Sequence, residues 1–179
     1  CNAKACGWPS DAEVACHRNA TATTDAIAID NCDCGLRRAG KFMLQIGKPN
    51  MSKGSNDTAN LRLPAKTLVD AKTNELYVAD GYGNRRVIVY DADSGQYKRH
   101  WGAYGNRPSD EVVPAYNPQS APSKQFNTVH CAIASTDGFV YVCDRVNDRV
   151  QVFQKDGTFV REAVVDGTTF RSGAVWDMA

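Results

Sequence analysis

Hydrophobic and polar positions alternate along the chain in runs of about five residues, and from residue 61 onward the runs come in fours. The first four cover 66–70, 75–79, 86–91 and 96–101, and the second four cover 130–134, 139–143, 149–154 and 158–162. The runs are rich in β-branched and aromatic residues. Asp93-Ser94-Gly95 precedes Tyr97, and Asp156-Gly157 precedes Phe159, the signal of tight turns between antiparallel strands. No stretch carries a helical period, so the pattern predicts an all-β chain.

The two sets of four are copies of one another. Leu76-Tyr77-Val78-Ala79-Asp80 aligns with Val140-Tyr141-Val142-Cys143-Asp144 at an offset of 64 residues (76 to 140). Downstream, Asn84 aligns with Asn147, Arg86 with Arg149, and Val87-Ile88-Val89-Tyr90 with Val150-Gln151-Val152-Phe153. The first copy holds one extra residue between its Asp and its Asn. Four short antiparallel strands in about 40 residues, repeated in tandem, make a β-propeller blade. Full blades are expected over about 61–102 and 126–165.

The flanks are partial. Residues 40–47 read as the last strand of an earlier blade, and 173–179 as the first strand of a following one. The expected architecture is a propeller or an incomplete arc of one, spanning 36–179. Two polar connections, 48–60 and the proline-bearing 104–125, are expected as surface loops. Residues 1–35 form a Cys-rich segment that can be laid on a degenerate blade. Skipping two residues places 24–30 on 136–144, which brings His17, 13 residues before Asp30, near the position of His130, 14 before Asp144.

Composition adds limits. The chain has 179 residues and a net charge of +1, a balance that offers nothing to nucleic acid or to an anionic membrane surface. No apolar run reaches the length of a membrane span. Five of the seven cysteines, Cys1, Cys6, Cys16, Cys32 and Cys34, lie in the first 34 residues. That density points to an oxidising compartment, extracellular or periplasmic. Cys131 and Cys143 fall on neighbouring strands, either as a disulfide or as two buried thiols. Asn19, Asn50 and Asn56 open glycosylation sequons, which carry meaning only in a secreted eukaryotic protein.

The pattern Tyr-Val-x-Asp…Asn-x-Arg-Val-x-Val-Phe/Tyr…Asp-x-Gly resembles the NHL repeat. The ordered series from Leu63-Pro64 through Asp80-Gly81-Tyr82-Gly83-Asn84, Val129-His130, Asp144-Arg145 and Phe159-Val160-Arg161-Glu162 resembles the peptidyl-α-hydroxyglycine α-amidating lyases and their bacterial relatives. The resemblance implies a six-bladed propeller, a zinc held by three His at its axis, and a structural calcium. It assigns Tyr82 as the base, His130 as a zinc ligand, and Arg145 to the lining of the site. His17 is a further candidate ligand, although its surroundings depart from the family pattern. The implied set needs residues that these 179 do not supply. Gly83 stands where the animal enzymes carry a Cys.

Two readings follow. The first is an enzyme, a metal-dependent carbon–nitrogen lyase acting on a small peptide substrate. The second is a non-enzymatic NHL scaffold that binds protein or self-associates through exposed blade edges. Asp80, Asp144, Asn84, Asn147, Arg86 and Arg149 recur, which assigns them to structure: turn capping, with each Arg bridging to a neighbouring blade. Tyr82 does not recur. His100, on the last strand of a blade, is expected at the outer surface.

Overall fold

The computed structural model describes residues 19–22, 27–31 and 41–178, with side chains from Leu44 onward. Its strands are β1 (Asn19–Ala22), β2 (Ile27–Asn31), β3 (Lys41–Ile46), β4 (Lys66–Asp70), β5 (Glu75–Asp80), β6 (Arg86–Asp91), β7 (Tyr97–Trp101), β8 (Val129–Ala134), β9 (Phe139–Asp144), β10 (Arg149–Gln154) and β11 (Phe159–Val164). They form a three-stranded sheet, β1–β3, and two four-stranded sheets, β4–β7 and β8–β11, each ordered as in the chain. Every pairing is antiparallel. The all-β expectation and both four-strand units therefore stand. Asp80 and Asp144 belong to the strand ends rather than to the turns that follow.

Each strand buries alternate residues against the next sheet. Ile46 and Leu44 of β3 pack with Leu76, Val78, Ile88 and Tyr90 of the second sheet. From its opposite face Tyr77, Val87, Val89 and Trp101 pack with Ala132, Val140, Val142 and Phe153 of the third. Arg99 Nε donates to the Lys155 carbonyl at 2.7 Å across this second interface. Cys131 and Cys143, paired across β8 and β9, form a disulfide.

The register of the first sheet corrects one alignment. Ile27 pairs with Ile46 and the pairing shifts between Ile29 and Asp30; Val87 pairs with Trp101 and shifts between Val89 and Tyr90. β10 and β11 shift likewise, between Val152 and Phe153. β1, β2 and β3 thus hold blade positions two, three and four, so residues 24–30 do not match the second-strand stretch 136–144. The equivalence of His17 with His130 rested on that match. His17 itself lies outside the described residues, as do Cys1, Cys6, Cys16, Cys32 and Cys34.

The two connections are pinned, not loosely draped. The Asp110 carboxylate accepts from the Ser55 amide (3.0 and 3.1 Å) and the Ser55 hydroxyl, and Asn56 Nδ2 donates to the Pro108 carbonyl. Arg86 and Arg149 hold these connections, which corrects the expectation that they reach a neighbouring blade. Arg86 donates to the carbonyls of Ser55, Asp57 and Asn60, and Arg149 to those of Ser123 and Gln125. A buried guanidinium must satisfy its donors, and the carbonyls of the adjoining connection are within its reach.

Candidate functional site

Two successive turns build the site. After β5 the chain runs Asp80-Gly81-Tyr82-Gly83, and after β9 it runs Asp144-Arg145-Val146. Tyr82 N donates to the Leu63 carbonyl and Gly83 N to that of Arg62; Arg145 N donates to the Thr128 carbonyl and Val146 N to that of Asn127. Asp80 Oδ1 accepts from the Arg62 amide and Asp144 Oδ1 from the Asn127 amide. Leu63 and Thr128 both adopt positive φ, 54° and 67°. The matched bonds make Tyr82 and Arg145 the same structural position in successive repeats, and the inserted residue is Gly81. No side chain fits there: a Cβ on Gly81 would stand 2.0 Å from the Val129 carbonyl oxygen. A Cβ on Gly83 would stand 2.3 Å from Arg62 Cγ, so the Cys of the animal enzymes has no room here with Arg62 in place.

Below each turn lies the same buried pair. Asp80 Oδ2 accepts from Arg86 Nε at 2.9 Å and Asn84 Nδ2 at 2.7 Å; Asp144 Oδ2 accepts from Arg149 Nε at 2.7 Å and Asn147 Nδ2 at 2.8 Å. Capping by these Asp residues is as the repeat predicts.

Above the turns the three residues singled out in the sequence meet. The Tyr82 hydroxyl lies 3.0 Å from His130 Nε2, and Arg145 Nη1 donates to that hydroxyl at 3.1 Å. His130 Nδ1 lies 2.5 Å from the Trp176 carbonyl oxygen. A carbonyl only accepts, so Nδ1 carries the hydrogen, and Nε2 is the ring nitrogen turned to the Tyr82 hydroxyl. The guanidinium of Arg145 stacks on the Trp176 ring at 4.2 Å and on the Tyr82 ring at 5.3 Å. Its Nε is buried without a partner among the described residues. Tyr82 is 50% exposed and Trp176 48% exposed, so the phenol is open to a ligand.

Trp176 is the site residue that sequence reasoning missed. Its indole N–H donates to the Gly173 carbonyl. The segment around it is held by Asp148, whose Oδ1 accepts from the Ala174 amide, and by the Lys66–Asp177 ion pair. Burial raises the Asp177 carboxyl, but Lys66, the Met178 amide and the nearby His130 outweigh it and hold the group below its ordinary value. His100 does not join the site. It is half-buried in β7, bonded to the Tyr97 hydroxyl and to Asn56, and burial, helped by Arg86 and Arg107, holds its ring below the ordinary value.

A metal on His130 would need ligands besides those that the described residues bring to the site. No three His, Cys, Asp or Glu gather among them, and the one imidazole at the site already meets Tyr82. A separate cleft of about 420 Å³ lies under the 111–125 segment, lined by Val113, Pro114, Tyr116, Lys124 and Arg149. It shares no residue with Tyr82, His130 or Arg145, and its guanidinium is engaged by Asp144 and Glu162.

No family model matches the chain. A peptidyl-glycine alpha-amidating monooxygenase B of Xenopus laevis is 30% identical over 109 residues, 60% of this chain. A peptidyl-glycine alpha-amidating monooxygenase of Mus musculus is 30% identical over 122 residues, 67% of this chain. The chain spans 11% of the length of each. The relationship is distant. A solved structure of a functionally unknown protein from Desulfotomaculum acetoxidans DSM 771 covers 88% of this chain and 44% of its own, with a TM-score of 0.46 and 12% identity, too low to support any argument about this chain. Among the described residues no helix is long and apolar enough to cross a membrane.

Proposed function

We propose that the chain carries the acid–base half of an amidating-lyase site, built on blades of an NHL-type propeller. The observation that carries this is the convergence of Tyr82, His130 and Arg145 within hydrogen-bonding distance. His130 Nε2 takes the phenol proton, Arg145 holds the resulting phenolate, and the phenolate removes the hydroxyl proton of a peptidyl-α-hydroxyglycine. The alkoxide then closes to the aldehyde as the carbon–nitrogen bond breaks. The nitrogen takes a proton back from the site, giving the amide and glyoxylate. Arg145 also offers a fork to the substrate carboxylate.

A zinc on His130 and a structural calcium would need further ligands from outside the described residues. When bound, the zinc would polarise the substrate oxygen. The Cys131–Cys143 disulfide supports an extracellular or periplasmic setting.

The test is direct. The purified chain, with and without added zinc, is incubated with an N-acyl-α-hydroxyglycine, and glyoxylate is measured. Release above the buffer blank supports the reading; release equal to the blank in both conditions contradicts it. A second reading, a protein-binding scaffold, is favoured by the exposed outer strand, where Val164 is 65% exposed.

A further inference from the structure

We propose that Asp148 is a positioning residue of the site: by holding the Ala174 amide it sets Trp176, and through Trp176 the ring of His130 and the guanidinium of Arg145. The inference rests on the reading of the site given above, but its first test needs no substrate.

The repeat points to the position. Asp148 falls between Asn147 and Arg149, as Arg85 falls between Asn84 and Arg86. The flanking Asn and Arg recur, and both bond to the buried Asp of their own turn. The residue between them does not recur. In each repeat it reaches a stretch of chain that leads into the site. Arg85 Nη1 donates at 3.3 Å to the carbonyl of Phe126, which leads into His130. Asp148 Oδ1 accepts at 2.6 Å from the amide of Ala174, which leads into Trp176. A cation meets a carbonyl in the first case and a carboxylate meets an amide in the second. Each side chain suits the backbone group it faces.

Asp148 is a costly residue to bury. It is fully buried, and its Oδ2 has no hydrogen-bond partner among the described residues. Burial raises the carboxyl above its ordinary value; the Ala174 amide offsets part of this, and Asp166 adds to it. A buried carboxylate that is only half satisfied works against stability. The bond to Ala174 is what the carboxylate provides that an apolar side chain would not.

Three contacts hold the segment that carries Trp176, and they differ in what they fix. Val175 packs on the Cys131–Cys143 disulfide, a contact without direction. Lys66 pairs with Asp177, but the side chains are 32% and 58% exposed, and exposed pairs contribute little. The bond from Ala174 to Asp148 is directional and made to a buried carboxylate. It orients the peptide that leads into Trp176. On the other side there is no slack, since a Cβ on Gly173 would stand 1.9 Å from the Arg145 carbonyl oxygen. Beyond that peptide the Trp176 carbonyl meets His130 Nδ1 at 2.5 Å. The Trp176 ring meets the His130 ring edge-on at 5.2 Å and carries the Arg145 guanidinium at 4.2 Å. Turning the Ala174 amide away from Asp148 therefore moves the groups that orient both partners of Tyr82.

Hydrogen exchange, followed by NMR on the chain labelled at its histidine rings, tests this. In Asp148→Ala the His130 Nδ1–H should exchange at least about tenfold faster, the scale of losing a hydrogen bond to a buried charged group. In Asp148→Asn, which keeps an oxygen for the Ala174 amide, it should stay close to the unaltered rate. The His100 ring N–H, bonded to Asn56 in another part of the fold, is the internal reference and should not change. In the unaltered chain the His130 ring proton and the Ala174 amide should open together, with matching protection; this readout stands even if Asp148→Ala does not fold. The value of kcat/KM for glyoxylate release should follow the same order, falling in Asp148→Ala and recovering in Asp148→Asn. The proposal is overturned by exchange at His130 that ignores Asp148→Ala or rises equally at His100. An Ala174 amide that opens far more readily than the His130 ring proton, or glyoxylate release equal in all three chains, overturns it as well. An absence of glyoxylate from every chain, with the exchange order intact, would remove the lyase chemistry and sustain Asp148 as the residue that sets the His130 ring.

Discussion

The turn from Asp80 to Arg86 and the turn from Asp144 to Arg149 share one framework and differ at one position that matters. Both hold a buried Asp–Arg pair, an Asn on the same carboxylate, and an amide cap from the preceding connection. Both place one side chain at the top of the turn. In the first it is Tyr82, lifted by the inserted Gly81; in the second it is Arg145. The two meet over His130. What repeats holds the turns, and what fails to repeat is what the proposed chemistry uses. Recurrence marks the framework residues even in a single sequence, and the residues that break it are the candidates for chemistry.

The comparison can be broken first at the shared framework. Asp80→Ala leaves the fully buried Arg86 unpaired, and loss of one partner of a buried pair costs about 3–5 kcal/mol. The urea midpoint should fall sharply, and Asp144→Ala should match it. Next in size is the insertion itself. Gly81→Ala forces a Cβ against the Val129 backbone; overpacking of this kind costs about 1–3 kcal/mol, and a backbone obstacle puts it at the upper end. The same change at Gly138, where a Cβ meets nothing within 4 Å but φ is +92°, should cost only its backbone strain, about 1 kcal/mol. Thermal unfolding of the two variants sharpens or erases the contrast.

A third test concerns the Glu75 carboxylate, which accepts from the Tyr77 hydroxyl at 2.8 Å and from Arg99 at 2.7 and 2.8 Å. Hydrogen bonds from Arg99 hold the Glu75 carboxyl at about 2, against the opposing effect of burial. A carboxyl lowered in the folded state stabilises above its unfolded value and loses that stabilisation as pH falls. The contribution is full above about 4.5 and fades toward about 2. Between pH 5 and 3 the midpoint of the unaltered chain should therefore fall more than that of Glu75→Gln. Equal slopes would show that the Arg99 link is not made. Smallest of all, Tyr82→Phe should change stability by no more than about 0.5 kcal/mol, as for an exposed side chain.

Much of this is legible in the sequence alone. The period-two runs, the Asp-Gly turns and the 64-residue offset (76 to 140) gave both four-strand units, because side-chain alternation and turn chemistry are local. Tyr82, His130 and Arg145 were named from the resemblance, and the structure brings them together. Trp176 was not, since its role depends on Asp148 and Lys66 holding a segment that forms no strand. The targets of Arg86 and Arg149 were also missed, because which carbonyls fold over a buried guanidinium is a long-range fact. The first sheet was misaligned although a signal was present: Asn31-x-Asp33-x-Gly35 matches Asp91-x-Asp93-x-Gly95, which would have placed β2 as a third strand.

The central claim is that Tyr82 acts as a base between His130 and Arg145. The measurement that reaches it most directly is kcat/KM for glyoxylate release by Tyr82→Phe beside the unaltered chain, at matched urea midpoints. A positioned acid–base group contributes about 10²–10⁴-fold, so the variant should lose at least a hundredfold in rate while keeping its stability. A Tyr82→Phe chain that releases glyoxylate at the unaltered rate would contradict the account.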